Sequence, residues 1–432
     1  MNVIYDWSTD ADAPAVRERL TPSDDGLPAD VVASARSILD AVRDRGDAAL
    51  VELTARFDGV ELTPDTVRVS QSEIDASAAK APASLVAAID LAIDNVRRFH
   101  EPQRPTSYAI DGVGGGQLGL QWRPVDAAAL YVPGGRAAYP TSVIMNAVPA
   151  QVAGVARLAA FTVPGTVESN PAVARALQAL GIDEVYRVAG AQAVAAAAFG
   201  TASVPAVDVI VGPGNAYVAA AKREVFGRVG IDSVAGPSEV LILCDPSANP
   251  EWVALDLLAQ AEHDPVARCV VASTSRDHLE AVLAAFDAAR AASPRREIVD
   301  AAWRDHGLAL VAAGVDALVD ICRAMAPEHL QVILDGEPPL DRLVAGAIFV
   351  GNHAPTALGD YIAGPNHVLP TGGSARFSGP LGVHTFLRTT TVVRGDAAMT
   401  ARLAGPGAEI ADYEQLAGHA AALRARLPGA SS

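Results

Sequence analysis

The histidines of this chain are concentrated in its second half, where polar partners accompany several of them. The chain has nine histidines, and all but one of them lie between His263 and His419. In the segment LLAQAEHD, Gln260 and His263 are three residues apart within a helical pattern. Residues at this spacing project from one face of a helix, so the two side chains can reach a common atom.

Two further segments place a carboxylate near a histidine. In MAPEHLQV, Glu328 and His329 occupy a predicted helix-to-strand junction, a position where α/β proteins hold functional groups. In GDYIAGPNHVLPTGG, Asp360 and His367 lie in a predicted loop that is rich in Gly and Pro and poor in charge. Imidazole, carboxylate and amide donors without cysteine suit a catalytic zinc or manganese ion that keeps an open coordination position.

The structural alternative for each histidine is a hydrogen-bonded core or surface residue, which is the more common case for a histidine taken singly. Three histidines in polar or loop surroundings are interpreted in this way, namely His278, His306 and His353. His384 is assigned no role. Spacing alone does not select four metal ligands from the remaining set.

Two glycine-rich turns are candidate sites for a phosphate or a ribose. GPGN at 212–215 and the loop YVPGGRAAYPTS at 131–142 each stand between an apolar run and a helical pattern, so backbone N–H groups can face an anion. A tight turn between a strand and a helix needs glycine for its geometry in any case. A purely structural role for these glycines therefore has the same weight as an anion-binding role. Gly114, Gly116 and Gly119 fit G-x-G-x-x-G, but the segment continues as an alternating strand and therefore predicts a hairpin turn.

The elements that must position these residues follow an alternating pattern. From about residue 130, short apolar runs alternate with helical stretches, which predicts βαβ units and parallel sheets. We expect one unit around 130–238 and another at about 239–380. Helical patterns precede them, and the last fifty residues predict a small appendage. From the residues alone, the chain is predicted to be a zinc-dependent α/β enzyme with two anion-binding turns.

Composition excludes several classes of protein. Of 432 residues, 50% are hydrophobic and 19% are charged, which is typical of a globular protein and not of a disordered one. The formal net charge of -17 makes nucleic acid and anionic membrane surfaces unfavourable partners. The first twenty residues do not have the apolar core of a secretory signal, and the three widely spaced cysteines fit a reducing compartment, so we expect a cytoplasmic protein without a membrane span.

A resemblance covers nearly the whole chain. The segments that carry it are, in order, GDAALVELTARFDG, LYVPGG, GAQAVAAAAFGT, GPGN, AGPSEVL, AQAEHD, PEHLQV, GDYIAGPNHVLPT and EQLAGHA. In this order and spacing they are similar to the histidinol dehydrogenase family, whose members use NAD and zinc. The resemblance implies oxidation of L-histidinol through L-histidinaldehyde to L-histidine, the last step of histidine biosynthesis.

The resemblance also implies roles for particular residues. One zinc ion per subunit would be held by Gln260, His263, Asp360 and His419, the last supplied by the partner subunit. Substrate contacts would come from these four residues together with Ser238, His329 and Glu414. NAD contacts would fall on Tyr131, Gln192 and Asn215, and the catalytic residues would be Glu328, His329 and His367.

The chemistry of these three catalytic residues is consistent with the implied reaction. His329, titrating near neutral pH, suits the base that removes the alcohol proton. Glu328 is the candidate that deprotonates water for attack on the aldehyde, and His367 assists or holds the reacting group. We expect zinc to orient the substrate; generation of a zinc-bound hydroxide is the alternative role.

The implied fold is α/β, with two incomplete Rossmann-like domains that contain parallel sheets, two small extra domains and an intertwined homodimer with shared active sites. We expect residues 1–28 to form an N-terminal arm, 29–129 and 239–381 a first Rossmann-like domain with the zinc and catalytic residues, and 130–238 a second, NAD-binding one. Residues 382–432 would form a C-terminal domain that contributes to the partner's active site.

Three alternative functions remain at this point. A relative in the same superfamily could oxidise another primary alcohol or diol, but Glu414 and His419 would complete a site for histidinol. A zinc-binding homologue without catalysis would not need Glu328, His329 and His367. A zinc hydrolase would need no dinucleotide site.

Overall fold

Two six-stranded sheets organise the computed structural model, which describes residues 3–21, 27–134 and 139–427. In the first sheet the strand order is β1-β12-β11-β10-β13-β14 and every pairing is parallel. Its strands are β1 (Ile4–Asp6), β10 (Glu239–Cys244), β11 (Arg268–Ser273), β12 (Leu308–Val311), β13 (His329–Ile333) and β14 (Ala347–Val350).

The second sheet has the order β2-β7-β6-β5-β8-β9 and is parallel except where β2 pairs with β7. Its strands are β2 (Arg68–Val69), β5 (Ala127–Val132), β6 (Arg157–Thr162), β7 (Glu184–Tyr186), β8 (Val209–Val211) and β9 (Gly230–Ile231). A smaller antiparallel sheet, β15-β4-β3, is formed by β3 (Tyr108–Asp111), β4 (Gln117–Pro124) and β15 (Leu387–Arg394).

Eighteen α-helices connect and cover these sheets in the described part of the chain. The first eleven are α1 (Trp7–Asp10), α2 (Pro14–Leu20), α3 (Ala29–Arg45), α4 (Asp47–Asp58), α5 (Gln71–Ala78), α6 (Ala83–His100), α7 (Pro140–Ala153), α8 (Thr166–Ser169), α9 (Pro171–Ala179), α10 (Gly190–Phe199) and α11 (Ala216–Val225). The others are α12 (Pro250–Ala261), α13 (Arg276–Ala292), α14 (Arg296–His306), α15 (Val315–Met325), α16 (Thr356–Tyr361), α17 (Ala397–Tyr413) and α18 (Ala417–Arg424).

The continuous apolar runs in the sequence are explained by sheets that are covered on both faces. In β10, Val240 and Ile242 pack with α12, α13 and α14 on one face. Leu241 and Leu243 pack with α2 and α15 on the other. The second sheet is covered in the same way, by α5–α9 on one face and by α3, α4, α10 and α11 on the other. The two predicted α/β units are therefore present.

The packing of residues 29–129 differs from the expected grouping with 239–381. Helices α3 to α6 lie against the second sheet, where Val32, Leu39 and Leu50 share a core with Tyr131. Strand β2 also joins that sheet. The helical patterns of this segment show which faces are buried but do not select the sheet that covers them.

The N-terminal segment is not a separate arm. Strand β1 pairs in parallel with β12, with Tyr5 opposite Leu310, and so extends the first sheet at its edge. Val16 and Leu20 of α2 enter the same core. The polar composition of this segment is accounted for by its position at the surface of the sheet's edge.

The glycine-rich segment near residue 115 forms the expected hairpin turn. It connects β3 to β4, and Gly114, Gly115 and Gly116 all have positive φ. The N–H of Gly116 donates to Asp396 Oδ2 at 2.8 Å, which ties the turn to the start of α17. The segment is therefore not a dinucleotide-binding turn.

No single helix in the described ranges is long and apolar enough to cross a membrane. Two neighbouring helical segments, Gln71–Ala78 and Ala83–Gln103, reach the length and apolar composition of a membrane span only when they are taken together, and they meet at a bend of 116°.

A buried ion pair should stabilise the turn that follows β8. Lys222 and Asp232 are 2% and 4% exposed, and both bind Gly212: Lys222 Nζ donates to its carbonyl at 3.0 Å and its N–H donates to Asp232 Oδ2 at 2.7 Å. Asp232→Asn leaves the lysine charge buried without its counterion, so we expect a loss of about 3–5 kcal/mol in the free energy of unfolding. Denaturant titration at fixed protein concentration measures it.

The double variant Lys222→Met with Asp232→Asn is the matched control, because it removes both charges. It should be more stable than Asp232→Asn alone. Equal stability of the single variant and the wild-type protein would contradict the assigned role of this pair.

Candidate active site

Glu328 and His329 lie where α15 ends and β13 begins. The helix ends at Met325 because Ala326 adopts the left-handed conformation, with φ of 46°, and Pro327 cannot continue the hydrogen-bond pattern. Both Glu328 and His329 are buried, at 7% and 5% exposure. The predicted junction is confirmed. It lies at the amino end of β13, however, whereas open α/β sheets usually place ligands beyond the carboxyl ends of their strands.

Residue Glu239, at the start of the neighbouring strand β10, contacts both side chains through its backbone. Its N–H donates to Glu328 Oε2 at 2.8 Å. Its carbonyl oxygen accepts from His329 Nδ1 at 3.2 Å. Since a carbonyl can only accept, Nδ1 carries a proton and the Nε2 edge of the ring faces the rest of the site.

Asp360 connects His329 to His367. His329 Nε2 donates to Asp360 Oδ1 at 3.2 Å, and His367 Nδ1 donates to the Asp360 carbonyl oxygen at 2.7 Å. Asp360 lies on the short helix α16, not in the loop that was predicted, while His367 does lie in a loop. Asp360 therefore joins the two histidines named as catalytic, His329 and His367, and Glu328 lies beside His329 with Oε2 3.5 Å from Nδ1.

The pKa of His329 is higher than the near-neutral value that the sequence analysis expects. Burial disfavours the charged ring, but the negative charge of Glu328 and hydrogen bonds to Asp360 and Glu328 raise the pKa of His329 to about 10. Burial likewise opposes the charge of Asp360, yet His329, His367 and His263 together hold its pKa below the usual range. Burial lowers the pKa of His367. The site thus combines one stabilised imidazolium with one neutral imidazole.

Gln260 lies at the end of α12, which packs against α16, and His263 follows that helix, close enough to Asp360 for its charge to lower the pKa of that carboxyl. The helix ends at Ala261, so His263 lies in the following turn, with its N–H donating to the Gln260 carbonyl at 3.2 Å. That both side chains project from one face stays a prediction. The sequence AEHD does not show where the last turn stops.

The donor set fits a metal ion in part. Gln260 is buried, and its Nε2 has no hydrogen-bond partner among the described residues. Rotation of the amide plane would present Oε1, an oxygen that a metal ion can bind, in the same place. Among the described residues, no group of three or more His, Cys, Asp or Glu side chains could hold a metal ion, so a site at His263 and Asp360 would include the Gln260 amide and a further donor.

The loop that carries His367 joins the two halves of the molecule. Asn95 Nδ2 of α6 donates to the Ile362 carbonyl at 2.9 Å, and Asn366 Nδ2 donates to the Met145 carbonyl of α7 at 2.7 Å. Gly364 has φ of 117°, and a Cβ there would lie 2.8 Å from the Asn95 carbonyl oxygen. Glycine is required at this contact.

The three residues predicted to bind NAD lie around the carboxyl edge of the second sheet. Tyr131 is near the end of β5, Gln192 is in the first turn of α10 after β7, and Asn215 caps α11 after β8. The chain runs from β5 to β6 on one side and returns to β8 on the other, so this edge is a topological switch point. Residues 135–138 of the loop at 131–142 lie outside the described residues.

Polar groups at this edge fit a bound ligand. The Tyr131 hydroxyl accepts from the Gly190 N–H at 3.1 Å, and Asn215 Oδ1 accepts from the N–H groups of Tyr217 and Val218. The buried atoms Asn146 Oδ1 and Thr162 Oγ1, beside the end of β5, have no partner in the described part of the chain. This edge therefore presents buried polar atoms that could bond to a ligand.

The tail residues are not joined to the site within one chain. Glu414 follows α17 and His419 lies on α18, and both are exposed. Among the described residues, neither side chain forms a hydrogen bond or an ion pair with Gln260, His263 or Asp360. Ser238, by contrast, directly precedes Glu239 and is partly buried at the site, with its carbonyl accepting from the Arg268 N–H at 2.9 Å.

Sequence reasoning missed Glu239 and Arg268. Glu239 is 1% exposed, and its carboxylate lies 3.5 Å from Arg268 Nη1. Burial and the charge of Glu328 outweigh Arg268 and raise the pKa of Glu239 to about 7. The available signal was an acidic residue that opens the apolar run EVLILC, since a charge at such a position needs a partner.

Comparisons with known proteins agree over nearly the full chain. The family model described as histidinol dehydrogenase matches residues 24–427. A histidinol dehydrogenase from Synechococcus sp. is 49% identical over 397 residues, which is 91% of this chain and 92% of the relative. One from Gluconobacter oxydans is 47% identical over 394 residues, covering 91% and 92% of the two chains.

A solved structure shows the same fold. The crystal structure of histidinol dehydrogenase from Elizabethkingia anophelis superposes with a TM-score of 0.91 at 30% sequence identity, covering 99% of this chain and 97% of that chain.

The raised pKa of Glu239 predicts a pH-dependent contribution to stability. Its pKa rises from 4.5 to about 7 on folding, so the folded protein binds this proton more tightly and the contribution is lost as the pH rises from about 4.5 to about 7. The melting temperature of the wild-type protein minus that of Glu239→Gln should therefore decrease between about pH 5 and about pH 8.

Glu73→Gln is the control, because hydrogen bonds from Ser70 and Arg187 lower the pKa of Glu73 to about 2. Its contribution is present above about pH 4.5, so the corresponding difference should not change between these two pH values. A Glu239→Gln difference that is independent of pH would show that the buried carboxyl is ionised throughout.

Proposed function

The chain belongs to the histidinol dehydrogenase family, and from this premise we propose that it oxidises L-histidinol through L-histidinaldehyde to L-histidine, the last step of histidine biosynthesis. It is an oxidoreductase that acts on a CH–OH group. The observation that carries the proposal is the buried arrangement of Glu328, His329, Asp360 and His367 in a member of this family. The overall reaction consumes one water and two NAD for each histidinol.

The oxidising equivalents come from NAD, which Tyr131, Gln192 and Asn215 would hold at the carboxyl edge of the second sheet. When it is bound by Gln260, His263, Asp360 and the partner's His419, zinc would hold nitrogen atoms of the substrate and orient its alcohol carbon. Ser238 and the partner's Glu414 would complete the substrate contacts. The orphaned Gln260 amide and the orphaned atoms near β5 support these two placements.

In the first oxidation, a hydride leaves the alcohol carbon as the hydroxyl loses its proton. We assign proton acceptance to His329, whose ring must be neutral at that moment. In that neutral form Nδ1 keeps its proton on the Glu239 carbonyl, 3.5 Å from Glu328 Oε2, so Nε2 carries the free electron pair that accepts the alcohol proton. The carboxylates of Glu328 and Asp360 then stabilise the imidazolium that results.

In the second oxidation, a water molecule must add to the aldehyde before the second hydride leaves. Glu328 is the proposed base that deprotonates this water, since its carboxylate is held in place by the Glu239 N–H. His367 keeps its Nδ1 proton on the Asp360 carbonyl, so its Nε2 is free to accept a hydrogen bond from the reacting group.

A cysteine nucleophile is not part of this proposal. Cys244, Cys269 and Cys322 are completely buried, and burial raises the pKa of each thiol. A thiol in such surroundings is not a reactive thiolate.

The proposed dimer is supported by the character of the tail. Within one chain, the described core that α17 and α18 share contains only the buried residues Ala408, Ala411 and Ala420. Larger apolar side chains on the same segment are exposed, namely Leu403, Ile410, Tyr413 and Leu416. A second copy of the chain that covers them would also receive Glu414 and His419, which supports an intertwined homodimer with shared sites.

Turnover of L-histidinol tests the function directly. Zinc-loaded protein with excess NAD and limiting L-histidinol should form about two NADH per histidinol, followed by absorbance, and a chelator should abolish the reaction until zinc is restored. Glu328→Gln is the matched variant and should lower kcat by about 10²–10⁴-fold. Oxidation of another primary alcohol or diol, with none of histidinol, would favour the superfamily relative instead.

Subunit hybrids test the shared site. His329→Gln and His419→Asn should each be nearly inactive alone. If the partner supplies His419, refolding an equimolar mixture gives hybrid dimers with one intact site each, and about a quarter of the wild-type activity returns. If both residues act within one chain, every site carries a lesion and no activity returns.

A further inference from the structure

We infer that Glu239 is a positioning residue for the reaction, holding Glu328, His329 and the loop that carries His367 in their working arrangement. The inference rests on the proposed function, because the three groups it positions are those assigned to catalysis. Glu239 is not expected to touch the substrate, since its carboxylate lies behind Glu328 and His329 and is 1% exposed.

The backbone of Glu239 bonds to both catalytic side chains. Its N–H donates to Glu328 Oε2 at 2.8 Å and its carbonyl accepts from His329 Nδ1 at 3.2 Å. The two bonds come from one residue, so a displacement of the start of β10 moves the proposed base and the proposed proton acceptor together.

The carboxylate of Glu239 determines where that backbone sits. Oε1 lies 3.5 Å from Arg268 Nη1 at the start of β11, and Oε2 accepts from the Gly372 N–H at 3.2 Å. One residue earlier in the same loop, Thr371 Oγ1 accepts from the Gly236 N–H at 2.6 Å. The segment 236–239 is therefore fastened to the loop that carries His367 as well as to the neighbouring strand.

Packing alone does not explain a carboxylate at this position. A buried acid loses its hydration, and an apolar side chain of similar size would fill the space without that cost. Glu328 lies close enough for its charge to oppose that of Glu239, and the pKa of Glu239 is raised to about 7 accordingly. The carboxylate is explained by the two fixed points that it provides itself, Arg268 and Gly372, which hold the backbone that bonds to Glu328 and His329.

A similar ion pair elsewhere in the chain can distinguish an effect of Glu239 on catalysis from an effect on stability. Glu184 opens β7, and its carboxylate pairs with Arg157 Nε at 3.0 Å at the start of β6. This pair, like Glu239 and Arg268, joins the amino ends of neighbouring parallel strands, but in the second sheet and away from the proposed catalytic residues. Glu184→Gln therefore serves as a control for the loss of a largely buried ion pair.

The experiment compares Glu239→Gln, Arg268→Met and Glu184→Gln in the zinc-loaded enzyme. Glu239→Gln should lower kcat for histidinol by about 10- to 100-fold, the range for loss of a group that orients a site, with KM for NAD nearly unchanged. Arg268→Met keeps the Gly372 contact and should lower kcat less. Glu184→Gln should lower the melting temperature and leave kcat at the wild-type value.

A second measurement does not depend on turnover. With ¹⁵N-labelled histidine, the imidazole resonances of His329, assigned with His329→Gln, should shift in Glu239→Gln and stay unchanged in Glu184→Gln. Wild-type kcat and unchanged His329 resonances in Glu239→Gln, with only a lower melting temperature, would overturn the inference. If the wild-type protein does not oxidise histidinol, the proposed function fails, and the resonances alone decide whether Glu239 positions His329.

Discussion

The parallel pairing of β10 with β13 is the contact on which the site depends. The pairing of β10 with β13 begins at Val240 and His329, so Glu239 directly precedes the first paired residue of β10. The N–H of Glu239 bonds to Glu328, and its carbonyl oxygen bonds to His329. Strand ends leave backbone donors and acceptors without ladder partners, and buried ones must be satisfied by side chains. Here the side chains that satisfy them are the proposed catalytic groups. Their orientation is therefore built into the sheet and does not rely on a mobile loop.

The electrostatics of the site follow from this arrangement. A buried histidine is ordinarily neutral, but His329 lies between Glu328 and Asp360, and the two carboxylates reverse that preference. Asp360 in turn is held ionised by the histidines around it. A cluster of alternating charges can hold or pass a proton with little movement of heavy atoms, which suits a reaction that releases protons in two oxidations.

The two sheets contribute opposite edges to the proposed reaction. The proposed catalytic groups lie at the amino edge of the first sheet, and the proposed NAD contacts lie at the carboxyl edge of the second, where the strand order reverses. The loop at 362–373 fixes one edge relative to the other, because Asn95 and Asn366 anchor it to helices on the second sheet. The tail formed by α17 and α18 differs from both sheets, because its own core is small and its large apolar residues are exposed.

Local pattern was enough to identify the α/β class, the two sheet-forming units, the hairpin at the glycine-rich turn and the segments that hold Glu328, His329, Asp360 and His367. Each of these depends on periodicity or on chemistry within a few residues. The chain fold decided the rest: the attachment of 29–129 to the second sheet, the entry of β1 into the first, and the contact of Glu239 with His329 across 90 residues. Such contacts are set by which strands pair and which helix faces meet, and one linear pattern is compatible with many pairings. The charge of His329 was also decided by the tertiary structure, because its pKa depends on burial and on the charged groups that lie near it in space.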